Sequence, residues 1–190
     1  VRSMDLAAFK TLCFQMNPTV DAGLNDTTCE ETPITLTGTA TDFSSVMWSG
    51  GAGTFVPADA LVTEYTPAAG ETGVVVLTLT AEAIDPCTLA ASDEMELFVQ
   101  PAPIADAGVD QTVCEMICLP PVPDANGIVN LAGAVQFASG QMWSSNGDGT
   151  FDDDAALGAV YTIGDGDIAN LTVELCLTAN PIDPCVTADV

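Results

Sequence analysis

The residues of this sequence best suited to chemistry include a dense run of carboxylates in its second half. The stretch NGDGTFDDDAALG places five carboxylate or amide side chains within nine residues: Asn146, Asp148, Asp152, Asp153 and Asp154. Calcium takes about six to eight such oxygens in flexible geometry, so the stretch predicts a calcium site. The alternative is a solvated acidic turn, because the spacing departs from that of an EF-hand loop. The equivalent stretch in the first half of the chain, GGAGTFVPADA, is nearly devoid of acids, which also favours the acidic turn.

The second group of reactive residues is a set of seven cysteines in a chain without histidine. No CxxC pair is followed by a second such pair, so the pattern does not indicate a zinc site. Disulfide bonds formed in an oxidising compartment fit the cysteines better.

Composition excludes several classes of function. The chain carries 27 acidic and 2 basic residues, for a net charge of −25. Nucleic acids and anionic membranes would repel it. The absence of histidine and the single lysine, Lys10, leave no basis for base-activated or lysine-based catalysis, so we predict that the protein is not an enzyme and has no cofactor other than calcium. No apolar run approaches the ~20 residues needed to span a bilayer. No signal peptide is visible, so we expect a mature, exported chain.

An internal repeat organises the sequence. The copies begin PTVDAGLNDTTCE and PIADAGVDQTVCE, continue through VMWSGGAGTF and QMWSSNGDGTF, and end near IDPC in both cases. Cys29 aligns with Cys114 at an offset of 85, whereas Cys87 aligns with Cys185 at an offset of 98. The second copy therefore contains an insertion, most of it in the proline-rich stretch CLPPVPDANGIV.

Within each copy the pattern is that of β-strands. Runs such as ITLTGTA, VVVLTLTA and LTVELCLTA alternate at period two between glycine, proline, asparagine and aspartate. No stretch past residue 17 shows helical periodicity. We expect Trp48 and Trp143 to fill the two cores, with Tyr65 and Tyr161 at the matching edges. The predicted fold is all-β, with two tandem Ig-like β-sandwiches and an additional N-terminal strand.

The order AG-x-D-x-T-x-C, W-S-x-x-G-x-G-T-F, Y-T, L-T and PC resembles the PKD-like, Ig-like repeats of very large secreted surface proteins of Bacteroidetes. Those proteins include gliding and attachment adhesins. The resemblance covers nearly the whole chain, twice, and it implies secretion, surface display and no catalysis. Such repeats serve both as stalks and as binding modules, so the resemblance does not select one function.

The equivalence of the two repeat copies suggests one disulfide bond within each copy. The pairing joins Cys29 to Cys87 and Cys114 to Cys185, each bond closing a long loop. The two cysteines found only in the second copy, Cys118 and Cys176, form a further predicted pair. Cys13 is left over and predicts a free or intermolecular thiol, with a bond to one of those two remaining open.

The alignment also predicts an additional strand at one end and a missing strand at the other. TLCFQ precedes the first copy as ELFVQ precedes the second, and Leu12 aligns with Leu97. We expect three parts: a donor-type strand in 1–17, a sandwich in 18–101, and a sandwich lacking its last strand in 102–190. The apolar face of the donor segment comprises Leu6, Ala8, Leu12, Phe14 and Met16, interrupted by Lys10.

These expectations predict a structural subunit of an extracellular filament or fimbria-like fibre, displayed at the cell surface. Copies would join head to tail, each inserting residues around 5–16 into the second sandwich of the next. One alternative is a window cut from a longer array, whose neighbouring repeats supply the missing strand. Another is a stalk or module of a surface adhesin that binds glycan or another surface, with or without calcium. In a third, MDLAAFKTLCF forms a short amphipathic helix.

Overall fold

The computed structural model describes residues 15–113 and 127–190. Several residues singled out by the sequence lie outside this part of the chain: Leu6, Ala8, Leu12, Phe14, Cys13, Cys114 and Cys118. The described residues form strands and one short helix. The predicted all-β, Ig-like fold class is confirmed.

The first repeat copy contributes β1 to β9. Their bounds are β1 (Thr19–Asp21), β2 (Asp26–Cys29), β3 (Ile34–Thr37), β4 (Thr39–Thr41), β5 (Phe43–Gly50), β6 (Thr54–Val56), β7 (Val62–Thr66), β8 (Gly73–Ala83) and β9 (Ala91–Gln100). The second copy contributes β10 (Ile104–Asp106), β11 (Ile128–Asn130), β12 (Ala134–Gln136), β13 (Ala138–Ser145), β14 (Thr150–Phe151), β15 (Val160–Thr162), α1 (Asp165–Asn170) and β16 (Leu175–Pro181).

The strand order of the first copy is that of an Ig-type sandwich. Strand β1 pairs with β4, and β3 pairs with β7, which also pairs with β6. Strands β3 and β4 are separated only by Gly38, so they can be counted as one strand. The order β1, β3 with β4, β7 and β6 then corresponds to the A-B-E-D sheet of such domains. The other sheet has the order β2-β9-β8-β5. Strands β5, β8 and β9 correspond to C, F and G of such domains. Because β2 pairs with the other edge of β9, β9 is a central strand of this sheet.

The second copy repeats most of this pairing. Strand β10 pairs with β12, β11 pairs with β15 and through it with β14, and β13 pairs with β16. The register is conserved: Trp48 lies opposite Leu79, and Trp143 lies opposite Leu177. Among the described residues of this copy no strand corresponds to β9. A single bridge joins Ala179 of β16 to Asp189.

The chain divides into two compact units. Of the described residues, the first unit holds 15–26, Pro33–Ala68 and Val74–Leu97. The second holds Thr27–Thr32, Ala69–Gly73 and the described residues from Phe98 to Val190. The second unit thus includes segments of both repeat copies, and the predicted boundaries at 18, 101 and 102 stay predictions.

The predicted tryptophans do fill the cores. Trp48 and Trp143 are each 2% exposed, and each stacks on a phenylalanine, Phe55 or Phe151. The two tyrosines, placed at the sandwich edges by the sequence, are in fact fully buried beside those phenylalanines.

Each buried tyrosine fixes the turn of the repeated G-T-F motif. The Tyr65 hydroxyl accepts the Gly53 N–H at 3.0 Å, and the Tyr161 hydroxyl accepts the Gly149 N–H at 3.1 Å. A Cβ at Gly53 would lie 2.8 Å from the Tyr65 ring, so only glycine permits this approach. The glycine and the tyrosine of the repeat therefore form one structural unit.

Helix α1 corrects the expectation that no helix follows residue 17. Its six residues are too few to produce a visible apolar period. The first turn is held instead by Asp148, whose carboxylate accepts the N–H groups of Gly166 and Asp167 at 2.9 and 3.1 Å. These bonds satisfy donors that a helix start leaves unpaired.

The disulfide pairing within each copy is also wrong. Cys29 bonds to Cys185, so the bond joins the two repeat copies. Both residues lie at Gln100: Cys29 precedes Glu30, whose N–H donates to the Gln100 carbonyl at 2.9 Å, and Cys185 Sγ lies 3.6 Å from the same oxygen. Alignment of the copies could not reveal this, because it pairs equivalent positions and not neighbouring ones.

Candidate strand-acceptor groove

A cavity of about 770 Å³ opens in the second unit, beside β16. Its lining includes residues 107–113, which the repeat aligns with the segment containing β2, and Leu175, the first residue of β16. In the first copy β9 lies between the equivalent elements, β2 and β8. The cavity is therefore lined by the counterparts of two elements that flank β9 in the first copy, and we call it the acceptor groove.

The exposure of equivalent residues agrees with this placement. Thr28 is 4% exposed in the copy that contains β9, whereas its counterpart Val113 is 47% exposed. Leu77 is fully buried, whereas its counterpart Leu175 is only half-buried. Positions that are covered in the copy that contains β9 are thus more exposed in the copy whose described residues include no counterpart of β9.

Among the described residues, the strand edges beside the groove have few backbone partners. On one side, β16 pairs with β13 and, within the described part of the chain, receives only the bridge from Asp189 on its other edge. On the other side, residues 111–113 form no strand, although their counterparts in β2 pair with β9. A strand edge with free N–H and C=O groups is a template for a further strand.

The lining of the groove combines apolar and acidic side chains. Its apolar side chains include Val129, Leu131, Trp143, Ile163, Ile168 and Leu175. The acids are Asp110, Glu174 and Asp167. An apolar strand carrying a positive charge would match this lining, because burial of apolar surface and attraction to the acids would act together.

A buried carboxylate stabilises one end of the groove. Asp167 is 4% exposed. Its carboxylate accepts the Tyr161 hydroxyl at 2.8 Å, the Gly164 N–H at 3.0 Å and the Asp148 N–H at 3.1 Å. These bonds tie α1 to β15 and to the turn before β14, and they hold the groove residue Ile168 in place.

The same bonds set the protonation states. Burial raises the pKa of Asp167, but hydrogen bonds from the Tyr161 hydroxyl and from backbone N–H groups outweigh burial and hold the pKa below its ordinary 3.8. Burial, together with the neighbouring carboxylate, raises the pKa of Tyr161 above 10.0. The pair is therefore a carboxylate and a neutral phenol near neutral pH.

The predicted calcium ligands do not converge in the described residues. The carboxylate of Asp148 binds the start of α1, and that of Asp152 accepts the Val160 N–H at 2.7 Å. Asp153 accepts the Ala155 N–H at 3.1 Å, and Asn146 accepts the Glu174 N–H at 3.0 Å. Asp154 contributes its backbone carbonyl to Trp143.

Within 15–113 and 127–190 no group of three or more acidic, cysteine or histidine side chains is arranged to hold a metal. Backbone hydrogen bonds to Asp152 lower its pKa, as expected for an acid that organises its own turn. Calcium binding stays a prediction, and the geometry favours the alternative of an acidic turn.

Several predicted site residues can be placed individually. Met16, the described residue of the predicted donor face, is 65% exposed. Cys87 and Cys176 are half-buried and carry no disulfide bond. Sequence reasoning missed the hydrogen bond between Asp167 and Tyr161.

Comparisons with known proteins place the chain in no family. No protein family and no curated protein matches it. Among solved structures, it is similar to extracellular cadherin domains 3–6 of protocadherin gamma B2, with 11% identity, a TM-score of 0.44, and coverage of 90% of this chain and 45% of that chain. It is also similar to domains EC22–24 of mouse cadherin-23, with 15% identity, a TM-score of 0.48, and coverage of 90% and 63%.

Both TM-scores are below 0.5, so these likenesses assign neither a family nor an activity. The resemblance to PKD-like repeats of bacterial surface proteins stays a prediction. In the part of the chain that the structure describes, no helix is both long and apolar enough to cross a bilayer.

Proposed function

We propose that this protein is a non-enzymatic structural subunit of an extracellular fibre, in which copies join head to tail by donation of a strand. The acceptor groove of one copy receives residues around 5–16 of the next. The observation that carries the proposal is the groove itself, which opens where the first copy holds the central strand β9. The disulfide bond between Cys29 and Cys185 supports export to an oxidising compartment.

The N-terminal segment suits this groove better than an arbitrary apolar strand. TLCFQ aligns with ELFVQ, the sequence that ends β9, so Leu12 takes the place of the fully buried Leu97. Lys10 takes the place of Met95, and its ammonium group would face a groove that is lined by carboxylates. Arg2 and Lys10 are the only basic residues of the chain.

Head-to-tail donation builds a chain of subunits and not a closed pair. The donor segment and the acceptor groove are different surfaces, so each added copy presents a new groove. Covering the groove would also remove the exposed edge of β16, which in a free subunit invites unspecific pairing.

The test compares the full chain with a variant lacking residues 1–16. We expect the full chain to form fibres, visible by electron microscopy and as rapidly sedimenting species, and the shortened chain to stay monomeric. A labelled peptide of residues 1–17 should bind the shortened chain saturably. Binding should be lost with Leu175→Glu in the groove and retained with Val186→Glu, since Val186 is 89% exposed and does not line the groove.

Fibres formed without residues 1–16, or equal peptide binding by both groove variants, would refute strand donation. Either result would favour the alternative of a stalk or binding module in a larger surface protein.

A further inference from the structure

We propose that Cys87 forms a disulfide bond with Cys114 of the partner subunit, and that this bond locks successive copies of the fibre. The inference rests on the proposed function and adds to it a covalent partner and a site. The observed bond between Cys29 and Cys185 suggests it, because part of the same arrangement recurs one repeat earlier in the chain.

The observed bond has a defined place in the second unit. Strand β9 ends at Gln100, whose carbonyl accepts the Glu30 N–H at 2.9 Å. Cys185 Sγ lies 3.6 Å from that carbonyl oxygen and bonds to Cys29, the residue before Glu30. The disulfide thus lies at the end of a central strand and joins a cysteine beside the strand to a cysteine of the repeat copy that follows it.

The first unit contains half of a second such arrangement. Cys87 is the counterpart of Cys185, and Gln15 is the counterpart of Gln100. The Cys87 thiol donates to the Gln15 carbonyl at 3.3 Å, and Cys185 Sγ lies 3.6 Å from the equivalent carbonyl of Gln100. Cys87 is half-buried and carries no disulfide bond.

The second cysteine of this arrangement belongs to the subunit that accepts the strand. Gln15 lies near the end of the predicted donor segment, and its counterpart Gln100 ends β9. The cysteine that precedes the counterpart of Glu30 is Cys114, at an offset of 85 from Cys29. When the donor segment enters the acceptor groove in the register of β9, Cys87 and Cys114 of the partner subunit stand in the relation of Cys185 and Cys29.

The reaction is a thiol–disulfide exchange with an external disulfide oxidant, such as a disulfide-bonded oxidoreductase of an exporting compartment. Two thiols of successive copies lose two protons and two electrons, and one S–S bond forms between them. The oxidant's S–S bond breaks, and its two sulfurs take up the protons and electrons as thiols. Because the groove brings the two cysteines together, strand insertion precedes the bond.

The test assembles the full chain with oxidised and reduced glutathione and analyses it by denaturing, non-reducing electrophoresis. We expect a ladder at multiples of 19.4 kDa that collapses on reduction. Cys87→Ser and Cys114→Ser should each abolish the ladder. A mixture of the two variants should stop at a covalent dimer, because only a Cys114→Ser donor inserted into a Cys87→Ser acceptor has both thiols, and the resulting dimer has neither thiol left for a further bond. The matched control is Cys176→Ser, the other described cysteine without a bond, which should keep the ladder.

Cleavage at aspartates followed by mass spectrometry should find Cys87 and Cys114 in one linked peptide pair. In fibres assembled from isotope-labelled and unlabelled copies, the pair should combine both labels. A bond within one copy, or a ladder carried by Cys13, Cys118 or Cys176, would overturn the inference.

The inference and the proposed function fail in different ways. Under reducing conditions, fibres should still form from inserted strands alone and fall apart in denaturant. Fibres without a Cys87–Cys114 bond under oxidising conditions refute the lock and leave strand donation standing. Absence of fibres under both conditions refutes strand donation and, with it, the lock.

Discussion

Replacing Leu12 by alanine tests the register of the donated strand. Leu12 aligns with Leu97, which is 0% exposed in β9 of the first unit. Truncating a leucine buried to this extent costs about 2–5 kcal/mol, through lost burial and the cavity that remains. Since about 1.4 kcal/mol corresponds to a tenfold change, the dissociation constant of the donor segment should rise at least about 30-fold.

The matched control is the neighbouring residue. Thr11 aligns with Glu96, which is exposed on the opposite face of β9. Thr11→Ala should therefore change the dissociation constant by no more than about twofold, as is usual for surface substitutions.

The affinities can be measured by fluorescence anisotropy, with labelled peptides of residues 1–17 that carry each substitution. The acceptor in each titration is the chain lacking residues 1–16. Similar losses for the two peptides, or an unchanged affinity for Leu12→Ala, would show that the segment does not enter the groove in the register of β9. The placement of Cys87 beside Cys114 of the partner subunit would then lose its basis as well.

Three further predictions concern the second unit. Since the pKa of Asp167 is lowered on folding, its stabilisation is full above the ordinary 3.8 and is lost as the pH falls through the folded value; Asp167→Asn should remove that component from unfolding curves measured across this range. In a denaturant titration, Gly133→Ala should lower the free energy of unfolding by about 1–3 kcal/mol, because the added Cβ would lie 2.6 Å from the Leu177 side chain. The control Gly158→Ala should be nearly neutral in the same titration, because its Cβ would meet nothing closer than 3.9 Å. Cys29→Ser should destabilise the oxidised protein by about 2–5 kcal/mol and leave the reduced protein little changed, which paired thermal melts would check.

The interpretation of the acidic stretch around Asp152 shows where sequence and structure diverge. Five Asp and Asn residues within nine positions are a reasonable calcium pattern. In the folded chain, however, the side chains of Asp148, Asp152 and Asp153 accept nearby backbone N–H groups. The short polar side chains of Asp and Asn compete effectively for local N–H donors, which a residue pattern alone does not show.

The sequence by itself determined the repeat, the β-strands and the aromatic cores of this protein. Strand period and turn residues are local properties, and Trp48 and Trp143 occupy equivalent positions because each copy must fill the same interior.

Only the tertiary structure decided which distant residues meet. It joined Cys29 to Cys185, buried Asp167 beneath Tyr161, and left Val113 exposed where Thr28 is covered. These outcomes depend on which strand ends and loops converge in space. Repeat alignment reports only which positions are equivalent, and equivalent positions in tandem copies are not, in general, neighbours.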